Sequence, residues 1–269
     1  MINAGFKHQL SGEIEKKRSH LCIGLDTDYQ KLPKKIKAKS ISSSIFNFNK
    51  KIIDETNDLV VAYKINLVFY LAYGLEGWKA LKKTTKYIKQ KYPQIKLIAE
   101  CKRTEIGWCA KMAIKELFGK LQFDASNIMP WYGEESVAEY RNLKGKALFV
   151  ICHDTNISAT EIQDIALKNN QKMYEYVTGL VANKWNKTGN VLIEAALTYP
   201  QVLRRIVQIG GNNQFYLVVG LGSQGGEISD LKIFKNKKNF IVSASRSIIY
   251  ASSPRKQAEK YRQEIEAAI

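Results

Sequence analysis

Eight short apolar runs, each followed by a longer amphipathic stretch, restrict the folding of this chain more than any other feature. The runs cover residues 20–25, 59–63, 96–100, 123–128, 147–152, 191–195, 215–219 and 240–243. Near-continuous hydrophobicity, as in Leu148-Phe-Val-Ile-Cys152, fits parallel strands covered by helices rather than strands with one wet face. Between them, helical spacing of apolar residues runs over 45–56, 75–91, 105–117, 134–140, 160–185, 200–209 and 254–268, after a first helix at about 3–17. Trp78, Leu81, Tyr87 and Ile88 share one side of the 75–91 segment, and Pro93 ends it. Pro200 and Pro254 suit the first turn of a helix. No break in composition divides the chain, so residues 1–269 are expected to form one (β/α)8 (TIM) barrel domain. An open doubly wound sheet satisfies the same alternation and stands as the alternative.

Charge says less. Forty-two basic residues against 25 acidic ones give a formal net charge of +17. Such a balance fits nucleic-acid binding, attraction of anionic substrates, or lysine-rich helix faces. The lysines are spread through 31–39, 79–102 and 232–238 rather than gathered in one tail, which favours solvated faces. A nucleic-acid module remains a minor alternative, and its sign would be affinity that falls steeply with salt. The four cysteines form no C-x-x-C pair, and no histidine lies at metal-ligand spacing from them. Reduced thiols of this kind fit a cytoplasmic setting. No run approaches the ~18 apolar residues of a membrane span, and the first residues lack a signal-peptide apolar core, so no membrane partner is expected.

In a barrel of this type, chemistry sits at the carboxyl ends of the strands. Two features occupy those ends. Asp26, Lys64, Glu100, Lys102 and Glu105 place ionisable groups after the first three runs. Glu100 and Lys102 share strand parity, so both face the barrel mouth while Cys101 faces the helices. Interleaved lysines and carboxylates hold one another charged, and such an array stabilises charge developing on a substrate without metal or cofactor. A set of surface ion pairs is the plainer reading of the same spacing. The second feature is the turn Gly220-Leu-Gly-Ser-Gln-Gly-Gly226 after run seven, with Arg246 after run eight. Loops seven and eight often bind phosphate in these barrels, glycines allowing close backbone approach and arginine adding a bidentate clamp.

Leu21-Cys-Ile-Gly-Leu-Asp-Thr-Asp28, Val61-Ala-Tyr-Lys-Ile-Asn66, Leu217-Val-Val-Gly-Leu-Gly-Ser-Gln-Gly-Gly226 and Ser243-Ala-Ser-Arg-Ser-Ile-Ile-Tyr-Ala251 resemble the longer bacterial form of orotidine 5′-phosphate decarboxylase. Met129-Pro-Trp-Tyr-Gly-Glu-Glu-Ser136 is similar to its P-Y-M-G-x-D-S stretch, and the likeness runs in order across nearly the whole chain. The resemblance implies a cofactor-free carboxy-lyase, usually a homodimer, that converts orotidine 5′-monophosphate to uridine 5′-monophosphate and carbon dioxide in pyrimidine biosynthesis. By matching position it implies that Lys102 protonates C6 and that Glu100 presses on the substrate carboxylate. Lys64 would order the network and contact ribose, and Glu105 would be donated across the dimer interface. Asp26 would bind a ribose hydroxyl, and Asn66, on the same motif as Lys64, would contact the substrate. Thr155 would face the pyrimidine amide edge, and Gln224, Gly225 and Arg246 would hold the phosphate.

The chain departs from the family's D-x-K-x-x-D at both carboxylates, which are Glu100 and Glu105 here. Thr104 stands for a glycine, Ile106-Gly-Trp-Cys109 for I-G-N-T, and Ile65 for a proline. His153-Asp154 replaces a small or apolar pair, and Ser247 replaces a glycine. An added methylene moves a carboxylate by roughly 1 Å, and misplacement on that scale costs ~10²-fold where geometry carries the rate. The alternative is therefore a diverged nucleotide 5′-phosphate-binding homologue with altered reaction or reduced activity.

Overall fold

A computed structural model describes residues 5–269. Eight parallel strands close in sequence order: β1 Leu21–Gly24, β2 Ala62–Asn66, β3 Lys96–Glu100, β4 Ala125–Ile128, β5 Ala147–His153, β6 Val191–Ala196, β7 Tyr216–Val219 and β8 Phe240–Ala244. Leu21, Cys22 and Ile23 pair with Val242, Ser243 and Ala244, and this closure rules out the open sheet. The helices are α1 Phe6–Lys17, α2 Ile41–Thr56, α3 Val68–Leu71, α4 Gly74–Lys91, α5 Gly107–Ile114, α6 Glu135–Ala138, α7 Thr160–Gln163, α8 Met173–Leu180, α9 Pro200–Gly210, α10 Arg246–Ile249 and α11 Pro254–Ala268. Among the described residues, no helix is long and apolar enough to cross a membrane.

Local chemistry explains several boundaries. Ser40 caps α2, its hydroxyl accepting from the Ser43 amide at 3.1 Å, so that helix starts four residues before its apolar pattern does. Proline occupies the first turn of α9 and α11. Gly210 ends α9 where a side chain would meet the Tyr216 hydroxyl at 2.5 Å.

The strand expected at 59–63 lies three residues further on. Leu59, Val60 and Val61 are a buried lead-in, and the ladder carries on through the polar end Lys64–Asn66. The helix expected over 160–185 is broken. Asn170 turns left-handed (φ 61°) and Ala166 bridges Lys172, so α7 and α8 are separate and a π-helical turn, Val181–Trp185, completes the segment. The helix expected at 105–117 begins at Gly107 and continues as a π-helical turn over Lys115–Lys120, and the one at 134–140 shrinks to Glu135–Ala138. Residues 3 and 4 of the expected first helix lie outside the described residues.

Two apolar layers result. One packs the strands' outer faces against the helices, and the other fills the barrel interior with residues such as Cys22, Ile98, Phe149 and Leu217. Phe6, Leu10 and Ile14 of α1 belong to the interior layer, with the Phe6 ring edge-on to Phe149 at 6.1 Å. The first helix therefore plugs the end of the barrel away from the strands' carboxyl termini. Because Leu10 is fully buried there, Leu10→Ala is expected to lower stability by about 2–5 kcal/mol, read as a lower urea midpoint at unchanged slope. An unchanged midpoint would mean that α1 is not part of the folded core.

Candidate active site

At the carboxyl ends of the strands, side chains enclose a cavity of about 210 Å³. Its wall takes Asp26 from the end of β1, Lys64 and Asn66 from β2, Glu100 and Lys102 from β3 and its loop, and Asp154 and Thr155 from the end of β5. Glu194 of β6 forms part of it, with Gln224 after β7 and Ser245 and Arg246 after β8. Of the residues singled out from sequence, Glu105 and Gly225 are off this wall. Glu105 sits half-buried on the loop after β3. Gly225 (φ 94°) spends its amide on the Gly222 carbonyl at 2.9 Å, shaping the loop that carries Gln224.

The charges are paired across strands. Lys64, 5% exposed, bonds to Glu100, and Lys102 bonds to Asp154 at 2.7 Å. The longer glutamate arm at position 100 thus meets the lysine of the neighbouring strand, and Lys102 finds its partner on β5 rather than in its own motif. Burial alone would raise the Asp154 carboxyl. The Lys102 ammonium and the Thr155 amide more than offset that and hold it below the usual carboxylate range. Asp26 accepts from the Ser245 hydroxyl at 2.6 Å through one oxygen, and its other oxygen is buried without a partner. Gln224 donates to the Thr155 hydroxyl at 2.8 Å, which links the β7 loop to β5.

Lys102 adopts a left-handed backbone (φ 49°), an uncommon state for a residue with a long side chain. Asn127 of β4 holds it there, its Oδ1 accepting from the amides of Cys101 at 3.0 Å and Lys102 at 2.9 Å. Those two donors fix the orientation of the Asn127 amide, whose Nδ2 therefore donates to Glu194 at 3.0 Å. Cys101 turns outward against the Ser126 hydroxyl, as strand parity requires. Thr104 exchanges hydrogen bonds with the Met129 backbone and Arg103 pairs with Glu116, so the β3 loop is tied on both sides of Lys102.

Asp154, Asn127 and Glu194 were not assigned a role from sequence. Glu194 had a signal: it is a lone carboxylate inside the apolar run Val191-Leu-Ile-Glu-Ala-Ala196. Asp154 was visible as a departure from the family pattern. Asn127 had no signal, since its role depends on the register of β4 against β3.

Converging strand ends around a charged, enclosed cavity have the layout of a (β/α)8 enzyme. The chain belongs to the orotidine 5′-phosphate decarboxylase / HUMPS family, whose model matches residues 19–261. It is 36% identical over 253 residues to a protein of Christiangramia forsetii named orotidine 5′-phosphate decarboxylase, covering 93% of this chain and 91% of that one. A protein of the same name from Herpetosiphon aurantiacus is 33% identical over 264 residues, covering 98% and 96%. The solved structure of Leishmania donovani OMP decarboxylase superposes with a TM-score of 0.84 at 26% identity, covering 98% of each chain.

Glu194 yields a pH prediction. Burial raises its carboxyl above the ordinary 4.5, against the pull of Lys64, Asn127 and Lys102, and Asp154 adds to the rise. Above pH 4.5 the unfolded chain releases a proton that the folded chain keeps, so the wild type loses stability as pH rises toward the folded value. Glu194→Gln removes that loss, and its stability relative to wild type is expected to grow between about pH 4 and 7 in urea titrations. A difference that stays flat would mean an unshifted carboxyl, and one that shrinks a carboxyl held below its ordinary value; either result contradicts the expectation.

Proposed function

We propose that the chain is an orotidine 5′-phosphate decarboxylase, converting orotidine 5′-monophosphate to uridine 5′-monophosphate and carbon dioxide. One observation carries this reading: the strand ends bring Lys64, Glu100 and Lys102 into one cavity with Gln224 and Arg246, inside a chain of this family. Arg246 and Gln224 hold the 5′-phosphate at the β7–β8 side. The free oxygen of Asp26 takes a ribose hydroxyl, with Lys64 and Asn66 beside it, and Thr155 faces the amide edge of the pyrimidine.

The substrate carboxylate then lies toward Glu100, whose negative charge disfavours the ground state more than the product. As the C6–carboxylate bond breaks, its electron pair stays on C6 and takes a proton from the Lys102 ammonium. Carbon dioxide leaves, and the Lys102 amine is reprotonated from water. An uncatalysed reference this slow asks for on the order of 20 kcal/mol, which fixed charges in an enclosed site are suited to supply. The four free cysteines fit a reducing, cytoplasmic setting.

A second copy of the chain completes this reading. Val68 and Leu71 on α3, Trp108 and Met112 on α5, and Trp131 and Tyr132 after β4 are exposed on the segments that follow β2, β3 and β4. Glu105 stands among those segments, and among the described residues no hydrogen bond or ion pair engages its side chain. A homodimer through this rim covers the apolar side chains and carries Glu105 toward the partner's cavity.

Loss of orotidine monophosphate absorbance on mixing with enzyme tests the activity. Lys102→Ala is expected to lower turnover by about 10²–10⁴-fold. Arg246→Ala should raise KM by about 10–100-fold, the worth of a charge-assisted phosphate contact. Wild-type turnover no faster than that of Lys102→Ala, with uridine monophosphate still bound, would return the reading of a diverged nucleotide-binding homologue. For the dimer, Trp108→Glu should shift sedimentation from dimer to monomer, and a wild type that sediments as a monomer would contradict the assembly.

A further inference from the structure

We propose that Asp154 is a positioning residue for Lys102, holding the ammonium at the cavity from β5 in place of a carboxylate on its own strand; the inference rests on the decarboxylase reading for what Lys102 then does. The geometry around Asp154 is built for aim. Its Oδ1 accepts from the Thr155 amide at 2.7 Å and faces the Thr155 hydroxyl at 3.4 Å. Its own amide donates to the Gln163 side chain at 2.9 Å. Its carbonyl lies 3.0 Å from Nδ1 of His153. That ring is fully buried, wedged edge-on between Tyr174 and Tyr199, with Nε2 3.1 Å from Asp164. Contacts with three residues, Thr155, Gln163 and His153, thus fix the backbone and one carboxylate oxygen, leaving Oδ2 as the atom that takes Lys102 at 2.7 Å.

Lys102 needs such a hold. Its side chain is 41% exposed, while that of Asp154 is 14% exposed. A lysine stem is long and rich in rotamers, and Glu100, the carboxylate of its own motif, is engaged by Lys64. An ion pair this open contributes little to folding. Its value lies in geometry, because displacement of a reacting group by roughly 1 Å costs ~10²-fold in rate. Asp154 touches neither the sugar nor the phosphate in the arrangement described above, so its loss should spare binding.

Asp154→Asn keeps the oxygen that receives the Thr155 amide and removes the charge, and Asp154→Glu keeps the charge. Two readouts decide the inference. In the orotidine monophosphate assay, Asp154→Asn is expected to lower kcat by about 10–100-fold, with KM and the Kd for uridine monophosphate within about threefold of wild type. Asp154→Glu should recover part of the lost kcat. Independently of turnover, acetic anhydride labelling followed by peptide mass spectrometry should show Lys102 of Asp154→Asn reacting several-fold faster relative to Lys79 than in wild type. Unchanged labelling, or unchanged kcat in an active enzyme, overturns the inference. A wild type inactive on orotidine monophosphate sinks the functional reading alone, and the labelling ratio then decides the positioning role by itself.

Discussion

The hydrogen bonds that join β8 to β1 are the constraint on which the site rests. Val242 donates its amide to the His20 carbonyl at 2.8 Å, and three residues later the Ser245 hydroxyl donates to Asp26 at 2.6 Å and lies 3.0 Å from the Gly24 carbonyl. Gly24 has no side chain to spare there, since a Cβ would lie 2.6 Å from that of Ser245. This closure brings Arg246, which follows Ser245, onto the same cavity wall as Lys64 and Lys102. Without it, the phosphate side and the charged network would sit at opposite edges of a sheet.

Inside that ring, each lysine is answered by a carboxylate from another strand. Lys64 meets Glu100, Lys102 meets Asp154, and Glu194 lies below them bonded to Asn127. Pairs across strands keep their spacing as long as the barrel is closed, so side chains with long stems are held by a rigid frame. The left-handed backbone at Lys102 is supported in the same way, from the neighbouring strand, by a single asparagine that serves two amides. Strain of this kind persists only where the surroundings over-determine it.

Much of this was readable in the sequence because parallel strands buried on both sides leave near-continuous apolar runs, and the residue after each run is a strand end. Lys64, Glu100, Lys102 and Arg246 follow from that rule and line the cavity, whereas Gln224, on the same wall, was singled out only through the family resemblance. The rule's errors have physical causes. The second strand was placed early because Leu59, Val60 and Val61 are more apolar than the polar strand end they lead into. The segment 160–185 read as one helix because its apolar spacing is helical, while the left-handed turn at Asn170 leaves no trace in that spacing. Asn127 and Asp154 act through register and through contacts with distant strands, which no local pattern encodes. Both glutamates of the β3 motif were visible as departures, yet the pairing of Glu100 with Lys64, and of Lys102 with Asp154 at the end of β5, required the third dimension.

The most direct test is a crystal structure with uridine 5′-monophosphate bound. The phosphate should lie within hydrogen-bond reach of Arg246 and Gln224, with C6 of the ring facing the Lys102 ammonium at about 3–3.5 Å. A nucleotide bound away from Arg246, or with C6 turned from Lys102, would contradict the assignment of this cavity as the decarboxylation site.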